Sequence, residues 1–86
     1  MASYSVEIKR SAAKVLDGLP SKDGLRLLAR IQALADDPRP AGAVKLSARD
    51  RYRLRQGDYR ILYDIEEHVL RVLVVVIAHR REAYRR

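Results

Sequence analysis

Cysteine is absent from the 86 residues, and histidine occurs only at His68 and His79. A disulfide framework and a thiolate zinc site are therefore excluded, and the two histidines lack metal-ligand spacing. Neither a metal nor another cofactor is expected. No long apolar segment stands at the N-terminus, so no secretory signal is visible. The longest apolar run, residues 72–78, is too short to span a bilayer. These absences predict a cytoplasmic protein with no membrane partner. Acidic residues are few beside basic ones, leaving a formal net charge of +7.

What is present suits one small domain, residues 1–86. Hydrophobic residues make up 48% of the chain, enough for a modest core. Fourteen of the 18 basic residues are arginine. A guanidinium fork matches phosphate oxygens two at a time and stacks on bases. The charge and its arginine bias point to nucleic acid or an acidic protein partner.

The chain centres on residues 51–65, RYRLRQGDYRILYDI. Two alternating runs flank Gly57-Asp58, a dipeptide suited to a two-residue hairpin turn. With that turn Gln56 lies opposite Tyr59, Arg55 opposite Arg60, Arg53 opposite Leu62 and Arg51 opposite Asp64. Cross-strand partners project to the same side of a sheet. Arg51, Arg53, Arg55 and Arg60 thus share one face, and Tyr52, Leu54, Tyr59, Ile61, Tyr63 and Ile65 share a core face. The basic face suits either an anion or the bland role of a solvated surface that blocks edge pairing.

Before the hairpin, Tyr4, Val6 and Ile8 alternate with polar residues as in a half-buried strand. Ser11 is placed to cap a helix carrying Ala12, Val15, Leu16 and Leu19, which Pro20 should end. Ser21 is placed to cap a second helix with a stripe of Leu27, Leu28, Ile31, Leu34 and Ala35. Residues 39–50 read as a loop anchored by Leu46, with Lys45 in solvent. After the hairpin, a turn centred on Glu67-His68 pairs Asp64 with Arg71. That register sends Leu70, Val72, Val74 and Val76 to the core and Leu73, Val75, Ile77 and His79 to the arginine side. The fold class is α+β: a strand, an antiparallel helix pair and a three-stranded antiparallel meander, in a small mixed sheet with helices on one face.

Residues 52–63, YRLRQGDYRILY, resemble the central hairpin of the RelE/ParE toxin superfamily, and residues 79–84, HRREAY, are similar to its closing HRR-x-x-Y signature. The similarity extends over nearly the whole chain. It implies a toxin of a type II toxin–antitoxin pair. The RelE branch comprises ribosome-dependent endonucleases that cut mRNA in the A site, whereas the ParE branch inhibits DNA gyrase and lacks the basic catalytic set. The basic set here implies the RelE branch. By motif position, the catalytic candidates are Arg53, Arg55, Arg60, Arg80 and Tyr84. Lys45, Arg51, His79, Arg81, Arg85 and Arg86 are expected to contact RNA or the ribosome. The resemblance also implies a RelB-like antitoxin, and a complex that binds operator DNA through that antitoxin. RelE-type sites often carry lysine in the hairpin pair, where this chain has arginine. Arginine is a poor general base, so the base would be Tyr84, His79 or a group of the ribosomal RNA. A gyrase inhibitor and a non-catalytic RNA-binding module are the alternatives.

Overall fold

The computed structural model describes residues 3–46 and 50–79. Its strands are β1 (Ser5–Ile8), β2 (Val44–Lys45), β3 (Arg51–Gln56), β4 (Tyr59–Glu66) and β5 (Arg71–His79), and its helices are α1 (Arg10–Asp17) and α2 (Ser21–Ala33). They form one mixed sheet in the order β1-β5-β4-β3-β2. β1 runs parallel to β5, and the other neighbouring pairs are antiparallel. The two-residue β2 falls within the stretch expected to be loop, and adds a strand beside the meander.

The alternation in β3 and β4 sorts side chains as expected. Leu54, Ile61, Tyr63 and Ile65 are buried, and with Val72, Val74 and Ile77 of β5 they meet Ala12, Leu27 and Ile31 of the helices and Leu34 just after α2. Burying such side chains contributes roughly 1.5–3 kcal/mol each. The helix ends differ from the sequence reading. α1 begins at Arg10 and has Lys9 as its cap, while α2 begins at Ser21 with Pro20 before it; neither has a side-chain capping bond. α1 ends at Asp17 and Gly18, before Pro20 is reached. Pro20 instead opens α2, where its fixed backbone angle and missing N–H fit the entry to a helix.

The register of β5 departs more. A 3-10 turn, Glu67–Val69, is followed by Leu70 in a left-handed conformation at φ 50°. Glu66, not Asp64, therefore lies opposite Arg71. The turn has taken two extra residues, a slip that preserves which side chains face the core. Arg71 bonds Glu66 and also reaches Glu7 at 3.0 Å. Leu70 is 39% exposed rather than in the core. Farther along, an irregularity at Leu62/Tyr63 inserts Val75 as an unmatched residue: Tyr63 pairs Val74, but Leu62 pairs Val76. One inserted residue exchanges the two faces for everything beyond it. Val76 consequently joins the arginine side and is 40% exposed, while Ile77 enters the core. Leu73 and Val75 keep the expected side.

At the opposite end of the hairpin, a polar clasp fastens the segment after α2 to the sheet. The Tyr63 hydroxyl donates to the Pro38 carbonyl at 2.7 Å. Arg39 Nε donates to the Tyr52 hydroxyl at 2.9 Å and its Nη2 meets Glu67 Oε1 at 2.8 Å. The Tyr4 hydroxyl donates to the other Glu67 oxygen at 2.7 Å. Burial pushes the Tyr63 phenol up to about 12.

Candidate functional site

The β3–β4 turn holds the site rigid. Gly57 has φ +60°, and Asp58 is not among the residues with positive φ, the pattern of a type II′ turn whose twist matches the strands. The registers that follow are those read from the sequence: Arg51 with Asp64, Arg53 with Leu62, Arg55 with Arg60 and Gln56 with Tyr59. The four arginines share the face opposite the one that α2 covers, and α1 borders this face beside Arg53 and Arg60.

Their surroundings differ. Arg51 places Nε 2.7 Å and Nη2 2.9 Å from the two oxygens of Asp64. This carboxylate holds the guanidinium above its ordinary pKa and matches its charge within the protein. Arg55 and Arg60 stand directly opposite each other, Arg55 exposed and Arg60 half-buried. Both carry a guanidinium, and arginine has no accessible neutral form, so positive charge is fixed on this face. Arg53 stands two residues from Arg55 along β3, on the same face. Its neighbour on β2 is Val44, and the neighbour of Arg60 on β5 is the small Ala78. Arg53 and Arg60 also border a cleft of about 510 Å³, walled by Val15, Leu46, Leu62 and Val76. Leu46, expected to anchor its loop, is 42% exposed and forms part of this wall.

Two candidates lie elsewhere. His79 pairs with Tyr59 and so belongs to the helix side, not the arginine side, because Val75 has shifted the alternation. Its ring sits edge-on to that of Tyr59, with centroids 5.3 Å apart. The Tyr59 hydroxyl donates to Asp23 Oδ2 at 3.0 Å, and burial followed by this carboxylate raises its pKa. Lys45 pairs with Tyr52 on β3, so its side chain leaves the sheet opposite to that of Arg53; its Nζ is 3.9 Å from Asp50. Arg80, Arg81, Tyr84, Arg85 and Arg86 lie outside the described residues. Among the described residues, no group of three or more His, Asp or Glu side chains is disposed to hold a metal ion, and no helix is long and apolar enough to cross a membrane.

The sequence reading missed the cleft. Leu62 was the available signal, an apolar residue on the arginine face opposite Arg53. The contribution of Val76 could not be read without the inserted residue, nor that of Val15 without knowing where α1 packs.

A helix pair backing a small mixed sheet, with an arginine-bearing hairpin on the open face, defines a toxin of the RelE/ParE superfamily. Residues 6–84 match the sequence model of the ParE toxin of the type II toxin–antitoxin system, parDE, and the chain belongs to this family. Among solved structures, a chain of the archaeal RelE–RelB complex from Pyrococcus horikoshii is similar at TM-score 0.80 and 26% identity, over 91% of this chain and 96% of that one. The toxin–antitoxin complex RelBE2 of Mycobacterium tuberculosis gives 0.78 and 22%, over 90% and 98%. The isolated RelE toxin of E. coli gives 0.79 and 19%, over 96% and 97%. The last two, at these identities, speak to the fold alone. No curated protein matches the chain by sequence.

Proposed function

We propose that this toxin is an endoribonuclease that cuts mRNA in the ribosomal A site. The observation that supports the reading is the gathering of Arg53, Arg55 and Arg60 on one face of the hairpin, with Arg55 directly opposite Arg60. Three guanidiniums converging on one surface offer an anion several charged donors at once. The RNA backbone is such an anion, and the phosphorane formed during its cleavage carries still more charge on the same oxygens.

The reaction needs no group beyond those of RNA and protein. The ribose 2′-oxygen attacks the adjacent phosphorus in line, its proton passing to a base. The bond from phosphorus to the 5′-oxygen breaks, and that oxygen takes up a proton. The products are a 2′,3′-cyclic phosphate and a 5′-hydroxyl. Arg60 clamps the scissile phosphate, and Arg53 and Arg55 stabilise the developing charge and hold the flanking backbone. Arg80 neutralises the leaving oxygen and Tyr84 stacks on a base, roles that rest on the closing motif. With His79 on the helix side, the base is Tyr84 or a group of the ribosomal RNA. Arg81, Arg85 and Arg86 add contacts to phosphates without sequence choice. Arg51, already matched by Asp64, contributes chiefly to the platform. The cellular partner is a RelB-like antitoxin whose acidic residues cover the basic face, and the complex binds operator DNA through the antitoxin.

The family match to ParE favours a second reading, inhibition of DNA gyrase. One experiment separates the two. The purified toxin is added to ribosomes programmed with a defined mRNA and an empty A site, with free mRNA and a gyrase supercoiling assay in parallel. Primer extension showing a cut in the A-site codon only on ribosomes supports the nuclease. Intact mRNA with blocked supercoiling supports the gyrase inhibitor, and neither effect would reduce the arginine face to a binding surface.

A further inference from the structure

We propose that the cleft beside Arg53 and Arg60 is a nucleobase subsite, which receives the base of a nucleotide whose phosphate those arginines hold. The inference rests on RNA being the substrate and adds where one of its bases goes. Val15 and Leu46 are 39% and 42% exposed and Val76 is 40% exposed, all in one concavity. Single exposed aliphatic residues are ordinary on a protein surface, but several lining one hollow mark a place where something apolar is received. The volume, about 510 Å³, is in the range of small-ligand sites.

The chemistry at the mouth narrows the occupant. Arg53 and Arg60 border the cleft, and among the described residues its lining is otherwise apolar apart from Ser11. A ligand that joins an anionic group to a flat apolar body matches both parts at once. A nucleotide has this construction: its phosphate lies on the guanidiniums, and the two faces of its base lie against aliphatic side chains, as bases held out of the stack do in apolar pockets. The cleft is also continuous with the basic platform, since Arg53 and Arg60 belong to both. RNA running across the platform thus reaches the cleft without leaving its phosphate contacts. The Ser11 hydroxyl is the polar side-chain group on the α1 side of the lining, so selection there would rest on the size and shape of the base more than on its hydrogen-bonding edge.

The test uses the full chain and a hexaribonucleotide protected by 2′-O-methyl groups, followed by methyl and arginine-Nε NMR. A second hexamer carries an abasic residue at its centre. Inorganic phosphate and a glutamate- and leucine-containing peptide complete the set. The intact hexamer should shift the methyl resonances of Val15, Leu62 and Val76. The abasic hexamer and phosphate should move arginine resonances alone, with the abasic form bound roughly tenfold more weakly, about the loss of one base contact. Val76→Phe fills the cleft from an exposed position; it should weaken the intact hexamer and leave the abasic one unchanged. Equal methyl shifts from both hexamers, RNA binding with silent methyls, or no RNA binding would each overturn the subsite. Methyl shifts with the peptide and not with RNA would overturn it in favour of a protein groove. A-site cutting is measured separately, so the subsite can fail while the nuclease reading stands.

Discussion

Replacing Tyr63 with phenylalanine tests the clasp that fixes the back of the sheet. The substitution retains the ring, which is fully buried, and its stacking on Tyr52 at 5.8 Å. It removes the 2.7 Å bond to the Pro38 carbonyl. Pro38 is itself buried, so the carbonyl loses its partner without gaining water. An unsatisfied buried acceptor costs about 1–3 kcal/mol. A middle value of about 2 kcal/mol lowers the thermal midpoint of a domain this size by roughly 8–16 °C. The pH dependence provides a second, independent signature. An ordinary phenol ionises near pH 10, while burial holds Tyr63 at about 12. The unfolded chain releases this proton first. The stability contributed by the neutral phenol is thus complete below about pH 10 and is lost as pH rises through 12. Two pKa units correspond to about 3 kcal/mol. Phenylalanine has no such limb, so the deficit of the variant should shrink from pH 10 upward and close at about pH 11–12. Urea unfolding followed by far-ultraviolet circular dichroism from neutral pH to pH 12 gives both quantities, provided the slope m is the same for both proteins. Parallel stability curves through the alkaline range would refute the reasoning.

Other expectations follow from the placement of the arginine face. His79→Gln should leave the pH profile of cleavage unchanged, because the imidazole is on the helix side; a lost limb near neutral pH would restore His79 as the base. Arg51→Ala should lower the melting temperature by depriving Asp64 of its guanidinium, yet retain cleavage; lost cleavage with full stability would place Arg51 at the phosphate. Arg53→Ala and Arg55→Ala should each reduce the slope of log affinity for ribosomes against log salt by about 1, as measured by filter binding. Unchanged slopes would mean that these side chains do not meet phosphates.

The parts of this molecule that could be read from its sequence are those where one periodicity has one meaning. The Gly57-Asp58 turn fixes the β3–β4 register, and strict alternation on both sides assigns every side chain of the hairpin to its face. β5 could not be read in this way. Residues 72–77, VLVVVI, are apolar at every position, so inserting Val75 changes no pattern that a sequence displays. That single residue nonetheless decides that His79 faces α2 and that Val76 faces the cleft. The β4–β5 turn was obscured for a related reason. Leu70 reads as a core residue, but in the fold it supplies the left-handed conformation that closes a longer turn. The helix starts were displaced because Ser11 and Ser21 are good capping residues in isolation, whereas Lys9 and Pro20 supply the extended backbone that enters each helix. The arginine platform was visible in the sequence; the cleft beside it depends on contacts between α1 and a shifted strand.

The central claim is that Arg60 stabilises charge on the scissile phosphate. Single-turnover cleavage on programmed ribosomes, with saturating toxin, isolates that step from binding. Arg60→Ala should fold, bind ribosomes, and cut the A-site codon about 10²–10³ more slowly than the unsubstituted toxin, the usual cost of one donor to a transition-state oxyanion. A rate close to that of the unsubstituted toxin would contradict the account and place the chemistry away from the hairpin.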